Sequence, residues 1–272
     1  MAEGNALHDK SLQATEIEAD VAKQGGLLGR KVFALDCVTS TNEVARKLGN
    51  EGYPEGTLVI AEEQSSGKGR YERSWFSPPH KGLWFSMILR PQTQHDKISL
   101  LTLLAGLAIA NAVEQTLQLA PSIKWPNDLL FDGQKFCGVL AEGQSVGNSV
   151  AFIVLGIGIN VNHKMGDFPE ELQPTATSLR IKAGRPVGRA ALLSCILSSF
   201  EELYSNFNKG NHAEAVRAWE KRCPWVAKRA QIHIDNRVIE GVFEGIDRLG
   251  RARLRLVNGE LAVLTAGELG TA

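Results

Sequence analysis

The longest apolar stretch in the chain, residues 98–113, is interrupted only by Ser99, Thr102, Gly106 and Asn111. A transmembrane helix needs about 20 consecutive apolar residues, and this run is shorter and broken. It predicts instead a helix over 98–119 buried inside a globular protein, so the rest of the chain must supply the layers that cover it. The composition agrees. Of 272 residues, 43% are hydrophobic and 22% charged, ordinary values for a folded soluble domain, so disorder is excluded for most of the chain. The first twenty residues are polar and acidic and lack the apolar core of a signal peptide. Cys37, Cys137, Cys195 and Cys223 stand far apart without a CxxC or Cys–His cluster. This argues against structural zinc and fits free thiols in a reducing cytoplasm. Lys and Arg total 30, as do Asp and Glu, which argues against an overall basic coat for nucleic acid.

Around the buried helix the chain alternates between strand and helix patterns. Residues 1–15 read as a tail, and 14–24 as a short helix ended by Gly25 and Gly26. Residues 31–38 and 57–63 read as strands, with a Thr-Ser-Thr-Asn cluster at 39–42 suited to cap a helix over 43–48. Residues 82–90 place Leu83, Phe85, Met87 and Leu89 on one face, the period of a strand. Runs at 129–131 and 135–142 bracket Asp132-Gly133, a dipeptide favoured by type I′ hairpin turns. Residues 150–161 form another buried strand, and 189–207 and 212–222 read as helices. Beyond Arg229 the texture changes to short strands separated by turns, including Asn258-Gly259, which suggests a small β-barrel. The expected organisation is a tail and short helix at 1–27, a large unit at 28–223 and a barrel at 224–272.

Four stretches carry chemistry. In residues 64–75, small residues let backbone N–H groups approach a phosphate. Lys68, Arg70 and Arg73 add charge there, and Trp75 and Phe76 an apolar wall. A solvated basic surface loop is the plainer alternative, and the Walker A pattern is absent. Lys124-Trp125-Pro126-Asn127-Asp128 sets a lysine, an amide and a carboxylate together at a strand end. The lysine suits a phosphate, and the aspartate a magnesium ion or the ammonium of a nucleophile; a structural Asx turn explains the same residues. Lys135 opens an apolar strand just past a turn, where it is either solvated or aimed back at the preceding loop. Gly156 and Gly158 weaken a buried strand, so they mark close approach by a ligand or another strand, or tight sheet packing.

Taken in order, Ser40-Thr41-Asn42, Gln64 with Gly67-Lys68-Gly69-Arg70, the motif 124–129, Lys135 with Gly138-Val139-Leu140, and Gly156 to Asn162 form an array. The array resembles biotin protein ligases, from about residue 28 to the end. That resemblance implies an α+β fold: a mixed, class II synthetase-like sheet flanked by helices, then an SH3-like barrel. It implies an enzyme that makes biotinyl-5′-AMP from biotin and ATP with Mg2+, then passes biotin to one lysine of a biotin carboxyl carrier domain, such as that of acetyl-CoA carboxylase.

By the same resemblance, Ser40, Thr41, Asn42, Gln64, Trp75, Gly138, Gly156 and Gly158 contact or line the biotin site. Lys68, Gly69 and Arg70 belong to a loop that closes over it. Lys135 binds the biotin carboxylate. Lys124, Asn127, Arg73 and Asn160 face ATP. Asp128 meets magnesium or orients the acceptor amine. Lys135, Arg70, Asp128 and Lys124 are the expected catalytic set. The residues agree with that chemistry: adenylation joins two anions, which cations offset, and the adenylate itself is the activated acyl group, so no protein nucleophile is needed.

Two departures stand out. Many members have a denser Gly-Arg-Gly-Arg-Arg-Gly-Arg loop; here Lys68 replaces an arginine, and Tyr71 and Glu72 replace an arginine and a glycine. Lysine keeps the charge without the bidentate fork, and losing the glycine stiffens the loop. Some members also carry an N-terminal DNA-binding domain and act as repressors. Only about 28 residues precede the matched region, so a ligase without specific DNA binding is expected, cytoplasmic, without membrane association, and monomeric or homodimeric. A lipoate- or octanoate-type protein ligase, and a non-enzymatic regulator binding biotin or DNA, are the alternatives from other classes.

Overall fold

A computed structural model describes residues 12–91, 98–146 and 149–271; most of the expected N-terminal tail lies outside the described residues. Among the described residues, fourteen strands and six α-helices follow one another. Helix α1 (Ala14–Lys23) precedes strand β1 (Val32–Val38), helix α2 (Thr41–Asn50) and strand β2 (Leu58–Gln64). The basic loop is a two-strand ribbon of β3 (Gly67–Lys68) and β4 (Ser74–Trp75). Strand β5 (Gly82–Leu89), helix α3 (Ile98–Leu117), and strands β6 (Ser122–Lys124), β7 (Asp128–Phe131), β8 (Gln134–Val146) and β9 (Ser149–Asn160) come next. Helices α4 (Leu179–Ala183), α5 (Arg189–Asn208) and α6 (Ala213–Lys221) lead to the C-terminal strands.

The main sheet runs β1-β2-β5-β9-β8-β7-β6. Only β1 and β2 pair in parallel; the other pairs are antiparallel. Between β7 and β8, Asp132 and Gly133 both have positive φ, 50° and 81°, the type I′ geometry expected of Asp-Gly.

Side chains along a strand alternate between faces, and this sorts the sheet into two surfaces. One face sends Leu58 and Ile60, Leu83, Phe85, Met87 and Leu89, and Ile153, Leu155, Ile157 and Ile159 into the large core with α3 and α5. Helix α3 is long and apolar enough by composition to cross a membrane, because it continues to Leu117, but most of it is buried in this core. The opposite face carries a smaller cluster of Ala45 and Leu48 of α2 with Val59, Ile88, Phe152 and Val154. There α2 covers only part of the sheet. Farther along, the same face exposes Gly138, Gly156 and Gly158, and it is on this glycine floor that a cavity opens.

The C-terminal sheet has five strands in the order β13-β12-β11-β10-β14: β10 (Lys228–Ile234), β11 (Arg237–Ile246), β12 (Ala252–Arg255), β13 (Leu261–Leu264) and β14 (Glu268–Thr271). It is consistent with an SH3-like domain, but it is not the closed barrel expected: β13 and β14 are both edges. Instead of pairing with β13, the start of β14 turns to the main body, where the Gly267 carbonyl accepts from Arg70 and Glu268 pairs with Arg73. The two sheets share one continuous core, which includes Phe243, Leu254 and Leu269 beside the α3 leucines, and Trp125 Nε1 donates to the Gly250 carbonyl at 3.0 Å.

Candidate active site

The cavity holds about 600 Å3, within the usual range of small-molecule sites. Every residue to which the resemblance gives a site role lines it: the Ser40–Asn42 cluster, Gln64, the loop residues Lys68, Gly69, Arg70, Arg73 and Trp75, then Lys124, Asn127, Asp128, Lys135, Gly138, Gly156, Gly158 and Asn160. Sequence reasoning missed Phe168, Leu172, Thr175 and Ala176 of the segment after β9, and Glu268, Gly270 and Thr271 of β14, which complete the wall.

The polar end is built at the start of α2. Ser40 occupies the N-cap position, but its side chain makes no capping hydrogen bond. Gln64, at the end of β2, accepts from the Thr41 backbone N–H at 2.8 Å and lies 3.1 Å from the Thr41 hydroxyl. Its Nε2 donates to Ser77 Oγ at 2.9 Å, which fastens the exit of the basic loop to the sheet. The glycines of the floor give way to side chains rather than to another strand. A Cβ on Gly156 would overlap the Asn42 carboxamide, and one on Gly158 would stand 2.5 Å from Trp75 Nε1. That indole nitrogen is buried and makes no hydrogen bond among the described residues.

The charged end faces the loop and β7. Lys135 Nζ lies 2.6 Å from Asp128 Oδ1 and 5.1 Å from the Trp75 ring centroid. So Lys135 does point back over the turn toward the preceding motif. Asn127 is held by its neighbour strand: its Nδ2 donates to the Val139 carbonyl at 3.1 Å, and the Val139 N–H donates to the Asn127 carbonyl at 3.0 Å. Arg70 donates to Asn127 Oδ1 at 3.3 Å and to the Gly267 carbonyl at 3.1 Å. Lys68 pairs with Glu43 at 2.6 Å, and Arg73 with Glu268 at 2.6 Å. The Lys68 hydrogen bond, with help from Thr39, holds the Glu43 carboxyl below its ordinary range. Lys124, half-buried at the end of β6, has no ion-pair partner among the described residues. Tyr71 and Glu72 adopt φ of 54° and 59°, the left-handed region that favours glycine. The loss of glycine at 72 is therefore a backbone cost as well as a change of charge.

Behind the wall, His163 is fully buried, stacked on Phe168 at 4.8 Å and set edge-on to Trp84 at 5.8 Å, with neither ring nitrogen hydrogen-bonded among the described residues. Burial pushes its imidazole down to about 4. Burial likewise raises the Cys137 thiol far above its ordinary range, which removes it as a nucleophile.

A two-ended cavity of this kind, with uncharged donors and acceptors over a glycine floor at one end and lysines, arginines and one amide-flanked carboxylate at the other, defines a site that brings an anionic small molecule and a phosphate together: a ligase site. The sequence pattern of the biotin/lipoate A/B protein ligase family matches residues 34–160. The bifunctional ligase/repressor BirA of Bacillus subtilis is 35% identical over 98% of this chain and 82% of its own length. The biotin–[acetyl-CoA-carboxylase] ligase of Mycobacterium tuberculosis is 30% identical over 79% of each chain. Among solved structures, the Aquifex aeolicus biotin protein ligase in complex with biotin and ATP superposes with a TM-score of 0.77 at 29% identity, over 89% of this chain and 98% of that one. The chain belongs to the biotin protein ligase family.

Proposed function

We propose that this chain is an ATP-dependent biotin protein ligase: it condenses biotin with ATP to biotinyl-5′-AMP and diphosphate, then transfers biotin to a lysine of a biotin carboxyl carrier domain. The observation that carries this reading is that one cavity gathers residues from β1–α2, the loop, the 124–128 motif and Lys135 over a floor of Gly138, Gly156 and Gly158. In this reading the catalytic unit spans 28–223 with the SH3-like unit at 224–272, and the protein works in the cytoplasm, where its cysteines stay unpaired.

Ser40, Thr41, Asn42 and Gln64 would hold the cyclic urea of biotin, and Trp75 its apolar body. Lys135 would take the carboxylate, in place of its present partner Asp128. Lys124, Asn127, Arg73 and Asn160 would face the nucleotide, and Lys68 and Arg70 would close the loop over both. Among the described residues no group of three metal-ligating side chains exists. A magnesium ion would therefore fit as it commonly does on nucleotides, through one carboxylate and the phosphates themselves, with Asp128 as that carboxylate. When bound, the ion would neutralise phosphate charge. Asp128 is also the group placed to orient, or take a proton from, the incoming lysine amine.

The test is ATP–diphosphate exchange by the purified protein. Exchange that requires biotin, followed by labelling of a carrier domain, is the expected result. Exchange supported by lipoate or octanoate and not by biotin would instead favour the related acyl ligases.

A further inference from the structure

Glu142 does not line the cavity, yet it controls a chain of hydrogen bonds that ends there. It stands in β8 opposite Val154, with its side chain 30% exposed. Both of its oxygens are in use. Oε2 accepts from Asn42 Nδ2 at 2.6 Å, and Oε1 accepts from Arg46 Nη2 at 2.7 Å. Asn42 is buried and packed on Gly156, where a Cβ would overlap its carboxamide, so the amide is confined to this place.

The polarity of the whole chain follows. A carboxylate only accepts, so Glu142 fixes the NH2 end of Asn42 toward itself. Asn42 Oδ1 then faces Ser86 Oγ at 2.6 Å. Ser86, fully buried in β5, lies 2.8 Å from Thr41 Oγ1 on its other side. The hydroxyl of Ser86 has one proton, and a carboxamide oxygen can only accept, so that proton goes to Asn42. Ser86 Oγ in turn takes the proton of Thr41. Gln64 Oε1 remains satisfied by the Thr41 backbone N–H at 2.8 Å. With its proton turned inward, Thr41 Oγ1 presents only lone pairs to the cavity.

We propose that Glu142 is a positioning residue for substrate selection: acting through Asn42 and Ser86, it sets the Thr41 hydroxyl as an acceptor for an N–H of the cyclic urea of biotin. The inference rests on the biotin reading above. If the chain were reversed, Thr41 Oγ1 would accept from Ser86 and turn its own proton to Gln64 Oε1 at 3.1 Å, so one of the two lone pairs offered to the urea N–H would be used up.

Glu142→Gln tests it, because the shape is kept and only the polarity logic changes. Arg46, a charged donor, claims the new amide oxygen; the new NH2 then faces Asn42 and flips its carboxamide. The expected result is a rise in biotin Kd of about tenfold or more by calorimetry, with the KM for ATP unchanged. Removing Arg46 as well (R46A with E142Q) frees the amide oxygen for Asn42, so biotin Kd should return to within about threefold of the wild type. A merely structural role predicts the opposite order, with E142Q mild and the double variant worse. In a Ser86→Ala background, which cuts the relay, E142Q should change biotin Kd by less than about twofold. The proposal is overturned if E142Q leaves biotin Kd unchanged, if adding R46A worsens it, or if ATP binding falls in parallel. Absence of biotin binding by the wild-type protein would overturn the biotin reading itself, a result distinct from each of these.

Discussion

His163 offers a quantitative test of how the aromatic wall of the cavity is held. Its imidazole is shut among Phe76, Trp84 and Phe168, and burial lowers its pKa from 6.5 to about 4, Asp167 favouring the charged form and Lys81 opposing it. In the unfolded chain the same group takes a proton near its ordinary value. Between those values the unfolded state binds more protons, so stability falls as pH falls. The contribution is fully present above about 6.5 and is lost progressively toward about 4. At about 1.4 kcal/mol for each tenfold in proton affinity, the gap corresponds to about 3 kcal/mol. Carboxylates held low in the folded state, such as Glu62, where Arg189 and the Leu12 N–H outweigh burial, act below about pH 4.5. The window from 6.5 to 4.5 therefore isolates the imidazole. Urea melts of wild type and His163→Phe at pH 7.5, 6.5, 5.5 and 4.5 measure it. Phenylalanine keeps the stack and does not titrate; any repacking cost shifts its curve equally at all pH values. The wild type should lose about 2–3 kcal/mol more than the variant between pH 7.5 and 4.5. Equal pH slopes would refute a neutral, solvent-excluded His163.

Lys135→Ala should cut biotin-dependent diphosphate exchange at least about tenfold to a hundredfold with little change in melting temperature, since charge-assisted hydrogen bonds contribute roughly 1.5–3 kcal/mol; near wild-type exchange would remove Lys135 from the reaction. Arg70→Gly should still form the adenylate but release more free biotinyl-5′-AMP, read by chromatography of the filtrate, because it loses its tethers to Asn127 and Gly267 and not the carboxylate partner. Gly158→Ala should lower biotin affinity at least about tenfold by displacing the Trp75 indole, whose nitrogen would meet the new methyl at 2.5 Å; unchanged affinity in a calorimetric titration would show that the indole is free to move.

The elements with a clear period were readable from the sequence, and the reasons are physical. In β5 the alternation of Leu83, Phe85, Met87 and Leu89 marks the face that meets α3, and those residues do enter the large core. Asp132-Gly133 gave its turn because both positions need positive φ. What escaped was anything whose logic is not local. Ser86 and Glu142 carry no signal within their own strands; they matter because β5, β8 and α2 meet at Asn42, which no short window contains. The same holds for Thr175 and Ala176. They reach the wall through pairing with Lys135, whose backbone N–H and carbonyl bond to Thr175 and Thr177. Strand β14 is only four residues long, too short for a periodic signal. Its diversion to Arg70 and Arg73, which leaves the barrel open, depends on partners almost 200 residues away.

The charge pattern explains how so basic a loop sits in a chain of zero net charge. Three of the cavity's cations are already matched to carboxylates: Lys68 to Glu43, Arg73 to Glu268 and Lys135 to Asp128. Without such partners, a cluster of cations in a partly enclosed site would repel itself and attract any polyanion. The carboxylates hold these side chains in place and let the loop rest against α2 and β14. An entering ligand must then exchange with them. A lone phosphate would displace one carboxylate for little net gain, because desolvation offsets much of the new attraction. A ligand pair that fills the polar end as well adds the contacts of Thr41, Gln64 and Trp75 to the exchange. Selectivity for the right pair of anions thus lies in the uncharged end of the cavity, and the cations supply the neutralisation that lets the two anions meet.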